Sequence, residues 1–147
     1  MKLDALPPLV VKIAPDLTES QVKAMAVAIK DSNVDGVIVG NTTVTRNNLK
    51  SIEHTREVGG LSGPPVKPLE LKVLRTLRAA VGPDMTIIGC GGISNGQDAL
   101  DYAKAGADFV QLYTGFAYRG PGTPVLVCSE LAKSLDGKRW SDWRSIN

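Results

Sequence analysis

Scarcities define the chain first. It has one histidine, two cysteines and 5% aromatic residues among its 147, and its charges nearly cancel to a net +2. Without a surplus of positive charge, or a basic stripe interleaved with aromatics, nucleic-acid binding has no support. No apolar run reaches the roughly 20 residues of a membrane-spanning helix. Residues 1–8 are neither a signal peptide nor a transit peptide, so any targeting or anchoring segment of a parent protein lies outside them. Cys90 and Cys128 lack metal-ligand spacing and have apolar neighbours, which reads as two small buried hydrophobes in a reducing compartment. His54 stands alone in a polar stretch, so no metal site is expected.

What is present is ordinary in bulk and uneven in placement. Hydrophobic residues make up 43% and charged residues 22%, as in a soluble globular chain of one domain. The fifteen glycines are more than average, and they cluster at strand ends.

The pattern alternates strand and helix. Leu9 to Ile13 is a short apolar run after two prolines and reads as a buried strand. Thr18 is the expected N-cap of the next helix, with Gln21 in capping-box spacing. Val22, Met25, Ala26 and Ile29 form its apolar face, and it ends near Asp31 to Asn33. Val37 to Val39 is a second strand. Leu69 to Val81 is a second helix, with Leu71, Leu74, Leu77 and Arg78 at helical spacing. Thr86 to Gly89, Gly96 to Ala105, Phe109 to Leu112 and Val125 to Leu135 complete the alternation. The tail, residues 138–147, is polar apart from Trp140 and Trp143, whose role is to clamp the last helix onto the body rather than to stack on a ligand.

Four strands, each followed by a helix, imply a parallel sheet with right-handed crossovers. It closes either as an open doubly wound sheet or as half of a (β/α)8 barrel, since a whole barrel needs roughly 250 residues. The shortness of the strands favours the half barrel, so residues 1–147 read as one partial domain of four β/α units. Residues 40–68 are too long for a passive connection. They read as a mobile polar loop whose glycine-rich ends, at Gly40 and at Gly59 to Gly63, are anchored at the site. An unstructured surface insertion is the other reading.

In such a barrel the chemistry sits at the C-terminal ends of the strands. Those positions hold Lys12, then Gly40, Asn41 and Thr42, then Cys90, Gly91 and Gly92, then Tyr113 and Thr114. Gly91 and Gly92 let backbone N–H groups approach phosphate oxygens, Gly96 starts a helix whose dipole favours an anion, and Thr114 adds a hydroxyl and a backbone donor. Tight βα turns would also account for the glycines. Lys12, a charge inside an apolar run, is either a strand-end lysine with a packed stem or a cation held near a developing negative charge, such as that of a reduced flavin. Asn41 either reads a planar imide or carboxylate or simply forms a turn. Arg119 has no distinguishing context.

These motifs, taken in series, resemble the dihydroorotate dehydrogenases. They are Lys12-Ile13-Ala14-Pro15-Asp16-Leu17, Asp35-Gly36 with Asn41-Thr42-Thr43-Val44, Gly59-Gly60-Leu61-Ser62-Gly63, Ile87-Ile88-Gly89-Cys90-Gly91-Gly92-Ile93, Gly96-Gln97-Asp98-Ala99, Ala105-Gly106-Ala107 and Val110-Gln111-Leu112-Tyr113-Thr114. The resemblance runs from about Pro8 to Leu135. Gln111 to Thr114 followed by Gly120-Pro121, and Pro15-Asp16-Leu17-Thr18, look like class 2, the quinone-linked branch.

The resemblance implies a (β/α)8 barrel that binds FMN and oxidises dihydroorotate to orotate in pyrimidine synthesis, with a quinone reoxidising the flavin. A base takes the proton from C5 of the substrate while hydride leaves C6. It implies that Lys12 contacts the flavin ring, that Asn41 and Thr42 hold orotate, and that Gly63, Gly92, Tyr113 and Thr114 contact FMN. Cys90, in place of a usual valine, and Gly91 flank the phosphate loop. Gly40 stands where the family has Thr or Ser, so its implied contact runs through the backbone. No residue here matches the family's serine base, which belongs to an earlier part of the barrel along with the quinone entrance. Ser62, Ser94 and Ser129 do not replace it. The expectation is therefore the C-terminal half of the barrel, inactive alone, pairing with a missing half or with itself. By family it would work at the inner mitochondrial membrane in a eukaryote. A non-catalytic phosphate- or flavin-binding module, or a structural half barrel, is the alternative.

Overall fold

A computed structural model describes residues 6–47, 49–50, 53 and 55–144; His54 lies outside them. The elements in chain order are β1 (Val10–Ile13), α1 (Glu19–Asp31), β2 (Gly36–Val39), a 3-10 turn (Pro64–Val66), α2 (Lys67–Val81), β3 (Thr86–Cys90), α3 (Gly96–Lys104), β4 (Phe109–Gln111), α4 (Thr114–Arg119), α5 (Thr123–Leu135) and α6 (Trp140–Trp143).

The four strands are parallel and lie in sequential order, β1-β2-β3-β4. Sequential order decides between the two closures, because a doubly wound sheet reverses direction at a switch point. Parallel register aligns Lys12 with Ile38, Ile38 with Ile88 and Ile88 with Phe109. That row is one face of the sheet, since side chains alternate along each strand. It is open: Phe109 is 62% exposed, Lys12 is exposed, and Ile38 and Ile88 are half-buried. The opposite row of Val37, Val39 and Ile87 is completely buried beneath the helices. One covered face and one open face make this half of a (β/α)8 barrel.

The helices form for reasons visible in their sequences. Thr18 caps α1 with a reciprocal box: its Oγ1 accepts from the Gln21 N–H at 3.3 Å, and Gln21 Oε1 accepts from the Thr18 N–H at 2.9 Å. Val22, Ala26 and Ile29 are buried on its inner face. Leu71, Leu74 and Leu77 of α2 are buried likewise, and each such side chain contributes about 1.5–3 kcal/mol. This helix starts at Lys67, two residues before the expected Leu69, because Pro68 falls in its first turn, where a missing N–H costs nothing.

Arg78 ties the helix layer to the sheet. It is 4% exposed and every arm of its guanidinium is bonded. Nε donates to Gly106 O at 2.9 Å, Nη1 to Gly82 O and Met85 O at 2.7 and 2.8 Å, and Nη2 to Asp108 at 2.6 Å. Asp108 Oδ2 also accepts from the Ile87 N–H at 2.8 Å, and Arg144 reaches Oδ1 of the same carboxylate. Burial lowers the guanidinium pKa by more than Asp108 raises it.

Two features depart from expectation. Cys128 is exposed on α5, while Cys90 is buried. The tryptophans fasten α6 and the tail against α3 and the start of β4 rather than clamping α5. Trp140 Nε1 donates to Ala107 O at 3.0 Å, and Trp143 lies under the ammonium groups of Lys104 and Lys138, 5.0 and 4.8 Å from its ring centre.

Arg78→Met keeps the stem but leaves three carbonyls without their side-chain donor and takes one of the two guanidinium partners from Asp108. It is expected to cost about 3–5 kcal/mol, measured as a lower urea midpoint. A change within 0.5 kcal/mol, the range of an ordinary surface substitution, would contradict the proposed tie.

Candidate functional site

Where the strands end, the chain forms an open cleft of about 200 Å³. Every site residue picked out from the sequence lines it: Lys12 from β1, Gly40, Asn41 and Thr42 after β2, Gly63 before α2, Cys90, Gly91 and Gly92 from β3 and its turn, and Tyr113 and Thr114 after β4.

At one end three backbone segments converge. Gly92 has φ 65°, and a Cβ there would lie 2.9 Å from Gly63 O. A Cβ on Gly115 would lie 2.6 Å from Ile93 O. This packing is held from behind. Lys67 Nζ donates to Asp98 at 2.6 Å and to Asp101 at 2.7 Å, while the Ser94 N–H and hydroxyl donate to Asp98 at 2.9 and 3.0 Å. Burial pushes the Asp98 carboxyl up, but the Lys67 ammonium and the Ser94 donors outweigh it and hold the pKa below the usual range.

The anion expected at the start of α3 comes from inside the protein. Gly96 N–H donates to Glu130 Oε2 of α5 at 2.8 Å, and a Cβ on Gly96 would collide with Leu131 N at 2.3 Å. Gly96 therefore serves helix packing. The helix start that borders the cleft is that of α4, through Thr114 and Gly115. Sequence reading missed α4 because it has no side-chain cap and no buried residue. It missed Arg119 for the same reason. Arg119 Nη1 donates to Ser94 O at 2.8 Å, and the residue borders an adjoining recess of about 170 Å³ shared with Gly63, Gly92 and Thr114.

The polar wall comes from the segment after β2. Thr42 N–H donates to Asn41 Oδ1 at 2.9 Å, leaving the Asn41 amide N–H groups to donate elsewhere. Thr43 is buried and forms an antiparallel bridge with Leu61, with N–H to O distances of 3.0 and 2.8 Å. Its hydroxyl donates to Asp16, as does that of Thr45. Burial raises the Asp16 carboxyl pKa, and these hydroxyls, with backbone donors, bring it below the ordinary value. Arg46 donates to Thr43 O at 2.9 Å and also reaches Gly59 O. The two ends of the long loop are thus joined to each other and to the end of β1.

Two reactive groups reach the cleft floor. Lys12 brings an exposed ammonium. Cys90 is buried, and desolvation raises its thiol pKa, so it is a neutral thiol and not a nucleophile. Ser62 also borders the cleft, and its hydroxyl accepts from Thr114 Oγ1 at 3.0 Å. Among the described residues no group of three or more histidine, cysteine or carboxylate side chains could hold a metal ion.

The family profile described as dihydroorotate dehydrogenase matches residues 2–135. The chain belongs to the dihydroorotate dehydrogenase family. It is 54% identical over 137 residues to the mitochondrial dihydroorotate dehydrogenase (quinone) of Schizosaccharomyces pombe, covering 92% of this chain and 31% of that protein. It is 50% identical over 128 residues to the dihydroorotate dehydrogenase (quinone) of Brucella ovis, covering 87% and 35% respectively. Among solved structures, the Eimeria tenella enzyme crystallised with ferulenol superimposes with a TM-score of 0.89 at 38% identity, covering 95% of this chain and 38% of that one. The chain thus spans about a third of the length of these curated relatives, and its likeness is to the quinone-linked class.

One residue packed against this cleft was not visible in the sequence. Glu70, in the first turn of α2, is completely buried, and neither carboxyl oxygen has a hydrogen-bond partner among the described residues. Its Oε2 lies 1.8 Å from where a Cβ on Gly40 would be. Gly40 is therefore glycine because Glu70 occupies the space of its side chain. Burial pushes the carboxyl up to about 9, against the pull of Lys12.

This packing predicts strong coupling between the two positions. Gly40→Ala should cost at least about 2 kcal/mol in the native background and markedly less when Glu70 is also alanine. A double-mutant cycle by urea denaturation measures it. Strictly additive effects would refute the shared volume.

Proposed function

We propose that this chain supplies the flavin-phosphate site and half of the substrate site of a quinone-linked dihydroorotate dehydrogenase, which oxidises dihydroorotate to orotate with FMN as cofactor. The observation that carries the reading is the gathering of Lys12, Asn41, Thr42, Gly63, Gly92 and Thr114, from four separate motifs and the strand ends between them, on one cleft.

The cleft suits the phosphate of FMN, because a Cβ on Gly92 or Gly115 would strike Gly63 O or Ile93 O, so glycine lets these backbone segments converge and line the cleft with main chain. Backbone N–H groups at the start of α4, which have no intrahelical acceptor, are its donors. Tyr113 and Gly91 flank it, and Arg119 adds positive charge at the rim. FMN, when bound, supplies the acceptor for the hydride that leaves the substrate. Lys12 holds a positive charge where negative charge gathers on the flavin ring. Asn41 and Thr42 orient orotate through amide and hydroxyl groups.

Among the described residues, none of Ser62, Ser94 and Ser129 takes the role of the substrate base. Ser62 is held by Thr114 and Ser94 by Asp98, and Ser129 is exposed on α5. The 147 residues are therefore inactive alone. The open edges of β1 and β4, with the uncovered row that includes Phe109, are where the remaining strands of a barrel close, or where a second copy pairs when those strands are absent. In a eukaryote the parent protein works at the inner mitochondrial membrane. None of the described helices is long and apolar enough to cross a membrane, so attachment and quinone entry fall to other parts of the parent.

The test has two steps. The purified chain should show no dihydroorotate-dependent quinone reduction and should associate in solution, whereas the whole barrel should turn over. Turnover by the chain alone would overturn this division of labour. In the whole barrel, Lys12→Met should weaken FMN about tenfold, and Asn41→Ala should weaken orotate about tenfold with a much smaller effect on FMN. Flavin fluorescence titrations separate the two.

A further inference from the structure

Glu70 is a carboxyl group without a hydrogen-bond donor, placed directly behind the cleft. Its Oε1 and Oε2 lie 2.4 and 1.8 Å from the point a Gly40 Cβ would take, and its Cγ lies 2.9 Å from that of Gly91. Both glycines line the cleft, so only backbone separates the acid from a bound ligand. A fully buried carboxylate with no donor is among the costliest groups a fold can hold. The chain nevertheless places one here and removes a side chain at position 40 to admit it.

The charged and titratable groups that act on Glu70 come from several elements. Lys12 of β1 is the one cation, and Asp16, in the turn after β1, opposes ionisation. Cys90 of β3 and Tyr102 of α3 also feel Glu70, and both have raised pKa values. The β2 end contributes only Gly40. Tyr102 is occupied, because its hydroxyl donates to Gly91 O at 2.7 Å. Among the described residues Lys12 is therefore the cation that would gain a partner if Glu70 lost its proton.

We propose that Glu70 is a positioning residue of the cleft: as a neutral acid behind Gly40, it leaves the Lys12 ammonium without an internal counter-ion and so keeps that charge available to an anionic ligand group. Ionised, the same carboxyl would draw the ammonium back towards the helix layer, and ligand affinity would fall. Ligand binding and proton retention by Glu70 are thus reciprocal. The inference rests on reading the cleft as a flavin site, and its test separates the two.

Burial places the titration near pH 9, against an ordinary value of 4.5. The folded value is the higher one, so the stability contribution is complete below about 4.5 and is lost as pH rises towards about 9. Wild-type protein should lose stability across that window more steeply than Glu70→Gln, which carries no proton to lose.

The deciding measurements are infrared spectra and FMN titrations of the wild-type, Glu70→Gln and Lys12→Met proteins. At neutral pH the wild type should show the carbonyl band of a protonated carboxylic acid, absent from E70Q. This readout needs no ligand. Wild-type affinity for FMN should fall about fivefold more than that of E70Q between neutral pH and pH values above about 9. Lys12→Met should keep the band and lose the extra fall. A missing band in the wild type, or identical pH profiles for wild type and E70Q, would overturn the proposal. If E70Q does not fold, K12M decides: loss of the extra fall with the band retained supports the proposal, and persistence of the fall refutes it. If the wild type takes up no FMN at neutral pH, the flavin reading fails. Inorganic phosphate then serves as the anionic probe, and the same band and pH comparison decide the role of Glu70.

Discussion

A parallel sheet is stable when both faces are covered, and this one covers a single face. Val37, Val39 and Ile87 are completely buried under the apolar sides of the helices, while the row from Lys12 to Phe109 stays open. Everything that fixes the strands must therefore come from the helix side. That is where the buried polar ties lie. Arg78 joins α2 to the turns that lead into β3 and β4, including Asp108. Lys67 joins the start of α2 to α3 through Asp98 and Asp101. Such multiply bonded ties stabilise one arrangement of helices over strands, because leaving a buried partner unmet costs more than the bond contributes.

The cleft inherits its shape from this layer. Its floor is the backbone at Gly40, Gly91 and Gly92, which is thin there because helix-side groups press against it: Glu70 behind Gly40 and Gly91, and the Lys67 stem beside Gly92, 2.9 Å from where a Cβ would be. The same lysine that packs against Gly92 holds the β3–α3 turn through Asp98. Stability of the helix layer and precision of the ligand surface are thus one property. A substitution at Lys67 would be felt in the cleft even though its ammonium is directed away from it.

Much of this was legible in the sequence, and the limits have physical causes. Strands and long helices were readable because burial on one side imposes a period on Val22, Ala26 and Ile29, or on Leu71, Leu74 and Leu77. The capping box at Thr18 was readable because it is local. The strand-end residues were readable as a set because barrel topology sends every strand end to the same rim. The start of α4 was not, since a helix with no buried residue has no period to detect. The role of Gly96 was misread for a related reason. A glycine at a helix start suggests an anion site, but Glu130, far along the chain, already fills it. Gly40 and Glu70 are 30 positions apart, and nothing in either neighbourhood says that one occupies the space of the other.

That hidden pair sets the electrostatics of the cleft. Three ionisable groups converge at its floor, and two of them, the Glu70 carboxyl and the Cys90 thiol, are kept neutral by desolvation. The third, Lys12, lies on the open face of the sheet and is exposed. The cleft thus holds one fixed positive charge with no compensating negative charge at its floor. In a site sealed from solvent by the rest of a barrel, that charge would act through a lower dielectric and over a greater distance than it does in this open half. Burial of the acid and exposure of the base are therefore complementary: the first removes a competitor for the charge, and the second keeps the charge in place until a ligand covers it.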